Sequence, residues 1–273
     1  MKKTVKKLVV AAAGRGTRLL PITSVLPKEI LPIVDKPVFQ YVLEEGIADG
    51  IKELVLVISR EKELLLKYLE NTVSGDFRSL LRRIKITIVY QKEGGKYGDA
   101  VPIMAAMDHL EDEPFLVAWS DSFSLRKDGR VKELLDTYQS YQKPVISLIP
   151  ITQRETSLYA VPKISKVAKS IVMIERLLEK PGSKDAPSLF GAPNGFVLEP
   201  DVFSYLRQLK PNKKGEYSII DAIDAYCQEN LVYGKIFRGP FFEAGNKADV
   251  IKTVSRIAYY REDLKKMIKE RTN

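Results

Sequence analysis

One cysteine and one histidine, Cys227 and His109, are all that this chain of 273 residues holds of either type. A lone cysteine rules out an intrachain disulfide and a thiolate zinc site, which fits a reducing cytoplasm. A lone histidine rules out a multi-histidine metal site. A Ser-His-Asp triad would have to recruit His109 from an expected helix, and no nucleophile-elbow pattern accompanies it. No apolar run approaches the length that spans a bilayer, so no membrane segment is expected. The basic opening, Met1-Lys2-Lys3-Thr4-Val5-Lys6-Lys7, leads into a short apolar stretch that meets Gly14-Arg15-Gly16 without a cleavage site. It reads as a first strand, not as a secretion signal. Gly/Ser linkers, low-complexity tracts and internal repeats are also missing, including the hexapeptide repeats of a β-helix. Chemistry in this chain must rest on carboxylates, lysines, arginines and backbone amides.

What is present points to a globular chain, because 45% apolar residues can bury a large core. The formal net charge is +9. Basic residues are scattered among acidic ones, the pattern of a mixed solvated surface, although the excess also suits a polyanionic small substrate such as a nucleotide. Zinc-finger spacing, RNP-type aromatics and long basic blocks are absent, so nucleic acid is not an expected partner.

Apolar runs alternate with segments of helical spacing. Strands are expected over 7–13, 53–58, 84–90, 115–119 and 145–149, and helices over 37–49, 61–69, 100–110 and 132–141. This alternation predicts an α/β fold, with a mixed, mainly parallel sheet covered by helices on both faces. The second half is less regular, with strand-like pieces at 158–161, 171–178 and 195–198. Helices are expected there over 202–209, 217–228 and, as one long terminal element, 247–269. A single domain with two lobes is the simplest organisation.

The connection over 13–36 is too long for an idle loop in a compact domain. It opens Gly14-Arg15-Gly16-Thr17-Arg18, where two glycines let the backbone approach a ligand and aim its amides at phosphate oxygens. Arg18 can add bidentate phosphate contacts. A Walker loop would end in Gly-Lys-Ser/Thr and a dinucleotide fingerprint would need glycine where Leu19 stands, so neither motif is present. The glycines would equally serve a tight turn. Pro21, Pro27, Pro32 and Pro37 stiffen the loop and keep a helix from forming through it. Lys28 therefore rides on a rigid segment, either as a surface lysine or as a cation held against a triphosphate.

The runs Ala13-Gly14-Arg15-Gly16-Thr17-Arg18-Leu19-Leu20-Pro21 and Pro27-Lys28-Glu29-Ile30-Leu31-Pro32-Ile33-Val34-Asp35-Lys36-Pro37 resemble the signature of the sugar-1-phosphate nucleotidyltransferases. The Pro-Lys-Glu form looks most like the bacterial-type UTP–glucose-1-phosphate uridylyltransferases. Glu179-Lys180-Pro181 and Gly245-Asn246-Lys247 extend the likeness over nearly the whole chain.

The resemblance implies a Rossmann-like nucleotide lobe over about 1–120, a smaller sugar-binding lobe over about 121–246 and a C-terminal helix over about 247–273. It implies Mg²⁺ as cofactor, with UTP and a sugar 1-phosphate as substrates. A sugar phosphate oxygen attacks the α-phosphorus in line, chemistry that needs mainly positioning and charge neutralisation. Ala13, Gly14, Gly16 and Thr17 match the nucleotide loop, and Arg18, Lys28 and Lys180 the catalytic cations. Gln91 and Gly98 match the base-reading region, where an amide can both donate to and accept from uracil. Tyr159, Ala160, Glu179 and Gly195 match the sugar side. Asp121 matches the magnesium ligand, a hard oxygen donor at a strand's carboxyl end; a turn-capping aspartate is the alternative.

Three stretches depart from the family pattern. Lys96-Tyr97-Gly98-Asp99-Ala100 replaces a Gly-Leu-Gly-His-Ala-like stretch, which leaves the choice between UTP and TTP open. Tyr159-Ala160-Val161 replaces Tyr-Gly-Val, which bears on sugar choice. Glu243-Ala244-Gly245 replaces the motif holding a second metal ligand, so Glu243 is either that ligand or a surface or core-edge glutamate. The other readings are the same reaction with TTP or another hexose phosphate, and a silent nucleotide-sugar-binding paralogue. The amphipathic terminal segment suits a homodimer or homotetramer, or folding back on its own domain.

Overall fold

Leu8, Val9 and Val10 are fully buried and belong alternately to two hydrophobic cores. Leu8 and Val10 share one with Phe39, Leu43, Phe77 and Tyr138, and Val9 shares the other with Ile103, Phe115 and Ile223. A strand covered on both faces reads as a continuous apolar run for this reason. The computed structural model describes residues 2–47, 50–71, 75–92 and 94–271. In it, ten strands build one sheet. They are β1 (Lys7–Ala11), β2 (Glu53–Ile58), β3 (Lys85–Tyr90), β4 (Phe115–Trp119), β5 (Val145–Pro150), β6 (Val161–Lys166), β7 (Ile171–Leu178), β8 (Phe190–Gly191), β9 (Phe196–Leu198) and β10 (Tyr233–Ile236).

The strand order is β3-β2-β1-β4-β9-β5-β10-β7-β6, with β8 paired to β5. β3, β2, β1 and β4 are all parallel. β9 runs antiparallel between β4 and β5, β10 runs parallel to β5, and β7 and β6 complete the edge antiparallel. The sheet is therefore mixed, with its parallel block at the amino-terminal half. The chain leaves β1 for β2 on one side and later returns to β4 on the other. That reversal opens a crevice at the carboxyl ends of β1 and β4, where open α/β sheets bind ligands.

Helices cover both faces. Val38–Gly46, Gly75–Leu81 and Arg130–Tyr141 carry Leu43, Phe77 and Leu134 into the first core. Val101–Ala106, Val202–Gln208 and Ile219–Cys227 carry Ile103, Leu206 and Ile223 into the second. Gly46 is required for the first packing, since a Cβ there would stand 2.8 Å from Leu8 Cδ2. Leu8→Ala would lose about 2–5 kcal/mol at such a site, transfer and cavity together.

Strands β2, β4 and β7 occupy the residues expected for them, and most helices differ only at their ends. The expected helix over 37–49 runs Val38–Gly46, and residues 48 and 49 lie outside the described residues. The strand expected over 158–161 instead begins at Val161, after a single bridge between Ala160 and Ala192. The expected single terminal helix is two helices, Lys247–Ile257 and Glu262–Arg271. Tertiary contacts break it: Arg261 reaches back to Asp35 and donates to Tyr41 Oη at 2.6 Å, while Tyr260 sets its ring edge on Phe242. The stretch 13–36 holds only short 3-10 turns and the Pro32–Ile33/Lys36–Pro37 hairpin. Among the described residues, no helix is long and apolar enough to cross a membrane.

Candidate active site

The crevice is a cleft of about 1140 Å³. The carboxyl ends of four parallel strands form its floor: Ala13 and Gly14 after β1, Ser59 after β2, Gln91 after β3, and Asp121 after β4. The proline-rich loop supplies Arg18 and Lys28, and the second half supplies Tyr159, Ala160, Glu179, Lys180 and Glu243. Residues far apart in sequence thus face one space.

At its centre Lys28 Nζ donates to Asp121 Oδ2 at 2.6 Å, with Arg18 Nη2 3.9 Å from the same oxygen. Burial works to lower the Lys28 pKa, but attraction to Asp121 and Glu29 outweighs it and holds the ammonium above its ordinary value. Burial likewise works to raise Asp121, and the Lys28 charge outweighs it, so the carboxylate stays below its usual range. Both groups are ionised at neutral pH. Gly245 passes close beside them, where a Cβ would stand 3.2 Å from both Arg18 Nη2 and Asp121 Oδ2.

Glu243 stands on a two-residue strand, Phe242–Glu243, paired antiparallel with Ser122–Phe123. Ala244 N donates to Asp121 O at 2.7 Å, which fixes the two carboxylate-bearing segments side by side. Tyr159 Oη donates to Glu243 Oε2. Burial pushes the Glu243 carboxyl up to about 7, with the nearby Asp249 and Asp121 charges adding to it. Asp121 and Glu243 are two hard oxygen donors that sense each other, a set that fits a small divalent cation. Among the described residues, no group of three or more His, Cys, Asp or Glu could hold a metal alone. Magnesium is commonly held by one or two carboxylates with substrate phosphates and water completing the shell.

Elsewhere in the lining, Gly98 has φ +133° and a Cβ there would stand 2.2 Å from Tyr217 O. Tyr217 N donates to Tyr97 O at 2.7 Å, and Ile219 N donates to Asp99 Oδ1 at 2.8 Å, so two loops are zipped together. Gln91 Oε1 is buried and, among the described residues, has no hydrogen-bond partner. Lys180 pairs with Glu179 and holds φ +45°, a conformation uncommon for a long side chain. Ala192 N donates to Ala160 O at 2.8 Å.

Three expected residues do not line the cleft. Gly195 is buried, and a Cβ there would stand 2.8 Å from Arg130 Nη1. Gly16 and Thr17 are absent from the lining although Thr17 is exposed, and a Cβ on Gly16, at φ +69°, would stand 3.2 Å from Thr23 Cγ2 and 3.3 Å from Lys28 Cβ. Arg15, Lys62, Asp99 and Asp249 line the cleft without having been singled out. Asp249 carried a signal, an Asn-x-x-Asp helix start in which Asn246 Oδ1 accepts from Asp249 N at 3.0 Å.

Residues 7–258 match the family described as nucleotidyl transferase, and the chain belongs to that family. It is a nucleotidyltransferase. A UTP–glucose-1-phosphate uridylyltransferase of Staphylococcus saprophyticus is 31% identical over 280 residues, covering 97% of each chain. Another, of Pseudomonas aeruginosa, is 30% identical over 267 residues, covering 92% of this chain and 95% of that one. The crystal structure of a UDP-glucose pyrophosphorylase complexed with UDP-glucose superposes with a TM-score of 0.87 at 29% identity, covering 94% of this chain and 100% of that one.

Proposed function

We propose that this chain transfers a uridylyl group from UTP to glucose 1-phosphate, releasing pyrophosphate and UDP-glucose. The observation that carries this is the Lys28–Asp121 pair, 2.6 Å apart at the switch point of a sheet shared with uridylyltransferase relatives. A phosphate oxygen of glucose 1-phosphate attacks the α-phosphorus of UTP in line. The bond from that phosphorus to the bridging oxygen breaks, and pyrophosphate leaves with the electron pair. The Ala13–Gly14 backbone approaches the triphosphate, and Gly16 and Thr17 continue the same nucleotide-binding loop. Arg18 and Lys28 neutralise charge that grows on the leaving group. Gln91 and the backbone at Gly98 read the uracil edge. Glu179, Tyr159 and Ala160 hold the sugar, and Lys180 its phosphate. Asp121 and Glu243 would hold Mg²⁺, which supplies charge neutralisation across the phosphates when bound.

On this reading 1–120 is the nucleotide lobe and 121–246 the sugar lobe, in a reducing cytoplasm; the terminal segment, expected to serve a homodimer or homotetramer or to fold back, sets Ile257 and Leu264 into the first core of its own domain. Pyrophosphate release, coupled to inorganic pyrophosphatase and phosphate detection, tests it across nucleoside triphosphates and hexose 1-phosphates. UTP with glucose 1-phosphate is expected to be the fastest pair. Faster turnover with TTP or another hexose phosphate would replace the substrates, and no release with any pair would leave a nucleotide-sugar-binding protein.

A further inference from the structure

Glu29 follows Lys28 directly, and its side chain is 0% exposed. Lys62, on the turn after β2, donates to Glu29 Oε1 at 2.7 Å and to Ala12 O at 2.6 Å. Ser120 Oγ donates to the same Glu29 oxygen at 3.0 Å. Ser120 directly precedes Asp121. Two consecutive residues of the loop are therefore laddered onto two consecutive residues after β4, with Lys28 on Asp121 and Glu29 on Ser120. Lys62 closes the ladder onto Ala12, the residue before the phosphate-approaching loop.

Stability does not account for this pair. Removing two charges from water is expensive, and a buried pair gives the fold about as much as apolar residues of the same size would. Glu29 also uses only half of its carboxylate, since Oε2 is buried and has no hydrogen-bond partner among the described residues. What the pair does supply is register. A one-residue slide of the loop would bring Glu29 to Asp121 and set two carboxylates together. A lone Lys62 would instead repel Lys28. Alternating charges across the two rungs permit one alignment only, the one that places the Lys28 ammonium on Asp121.

We propose that Glu29 and Lys62 are positioning residues that set the Lys28–Asp121 contact for nucleotidyl transfer. This rests on the reading of the site given above. The test is the double variant Glu29→Gln/Lys62→Met, which removes both charges at nearly constant volume. Its melting temperature is expected to stay within a few degrees of the native value, because the pair is replaced and not broken. Its kcat is expected to fall roughly 10–100-fold, the usual effect of removing a group that orients a site residue, with the glucose 1-phosphate KM unchanged. A merely structural pair would move stability and leave kcat alone. Ser120→Ala removes the upper rung without disturbing the ion pair, and is expected to lower kcat in the same direction at unchanged stability. Native kcat in Ser120→Ala, or in a folded double variant, would overturn the proposal. A crystal structure of the double variant decides the matter without turnover: retention of the 2.6 Å Lys28–Asp121 contact would also overturn it. Absence of pyrophosphate release by the native chain would sink the functional reading alone.

Discussion

Lys28 and Asp121 meet at 2.6 Å although 93 residues separate them, and each keeps the other ionised inside the cleft. On the proposed function a cation in that place serves charge that appears as pyrophosphate leaves, whereas Lys180, paired with Glu179, lines the same cleft and serves the sugar phosphate. The two lysines should therefore fail differently. Lys28→Ala is expected to lower kcat by roughly 10²–10³, the effect of losing one donor aimed at developing charge. Lys180→Ala is expected to raise the glucose 1-phosphate KM at least tenfold while changing kcat less. Steady-state kinetics with each substrate varied in turn makes the comparison. An unchanged sugar phosphate KM in Lys180→Ala would remove Lys180 from that role.

Much of this arrangement was legible because it rests on local signals. β2, β4 and β7 are continuous or alternating apolar runs, so their ends could be read from composition. Asp121 was legible as a carboxylate at a strand's end, and Lys28 as a cation in a proline-stiffened loop. β10 was missed because Gly234 and Lys235 interrupt it. The glycine is there because a Cβ would stand 2.5 Å from Leu148 Cδ1. Burial of Gly195 away from the cleft lining was not legible, because its neighbour, Arg130, arrives from 65 residues away, held by a bidentate pair with Glu45. The Glu29–Lys62 pair depends on the register of β1 beside β2, and nothing local in either segment announces it.

The loops that meet at Gly98 and Tyr217 give a stricter steric test. Gly98→Ala would place a Cβ 2.2 Å from Tyr217 O at φ +133°, so backbone must move. The neighbouring bonds from Tyr217 N to Tyr97 O and from Ala100 N to Tyr217 O would be strained with it. The UTP KM is expected to rise at least tenfold, with a smaller effect on the sugar phosphate KM. Equal effects on both substrates, or none, would place the base elsewhere.

Cys227 offers a probe of opening. Burial pushes its thiol up to about 12, with the Asp224 charge adding to the shift. At pH 8 the native chain should resist iodoacetamide, because the thiolate is the reactive form. Labelling followed by mass spectrometry is expected to appear only as urea unfolds the chain. The sign of the linkage follows: the native state keeps this proton above an ordinary thiol pKa of about 8.5, and the unfolded state does not. Stability from this group is therefore fully present below pH 8.5 and falls as pH rises toward 12. Rapid labelling of the native chain at pH 8 would contradict both statements.

Glu243 carries the sharpest consequence of the metal reading. Its carboxylate takes a hydrogen bond from Tyr159 and lies on a strand paired directly with the segment after Asp121. A core-edge glutamate that merely anchors Tyr159 would have the same partner. The two roles separate under substitution. Glu243→Gln keeps the size and an acceptor for Tyr159 but removes the charge, so a metal role predicts a magnesium midpoint weakened roughly 10–100-fold. Tyr159→Phe removes the bond and keeps the charge, so the same role predicts an unweakened midpoint. Turnover of the native enzyme should also stop in excess chelator and return with added magnesium. An unmoved magnesium titration in Glu243→Gln would leave Asp121 as the only protein carboxylate on the metal, and a weakened one in Tyr159→Phe would give Glu243 the anchoring role instead.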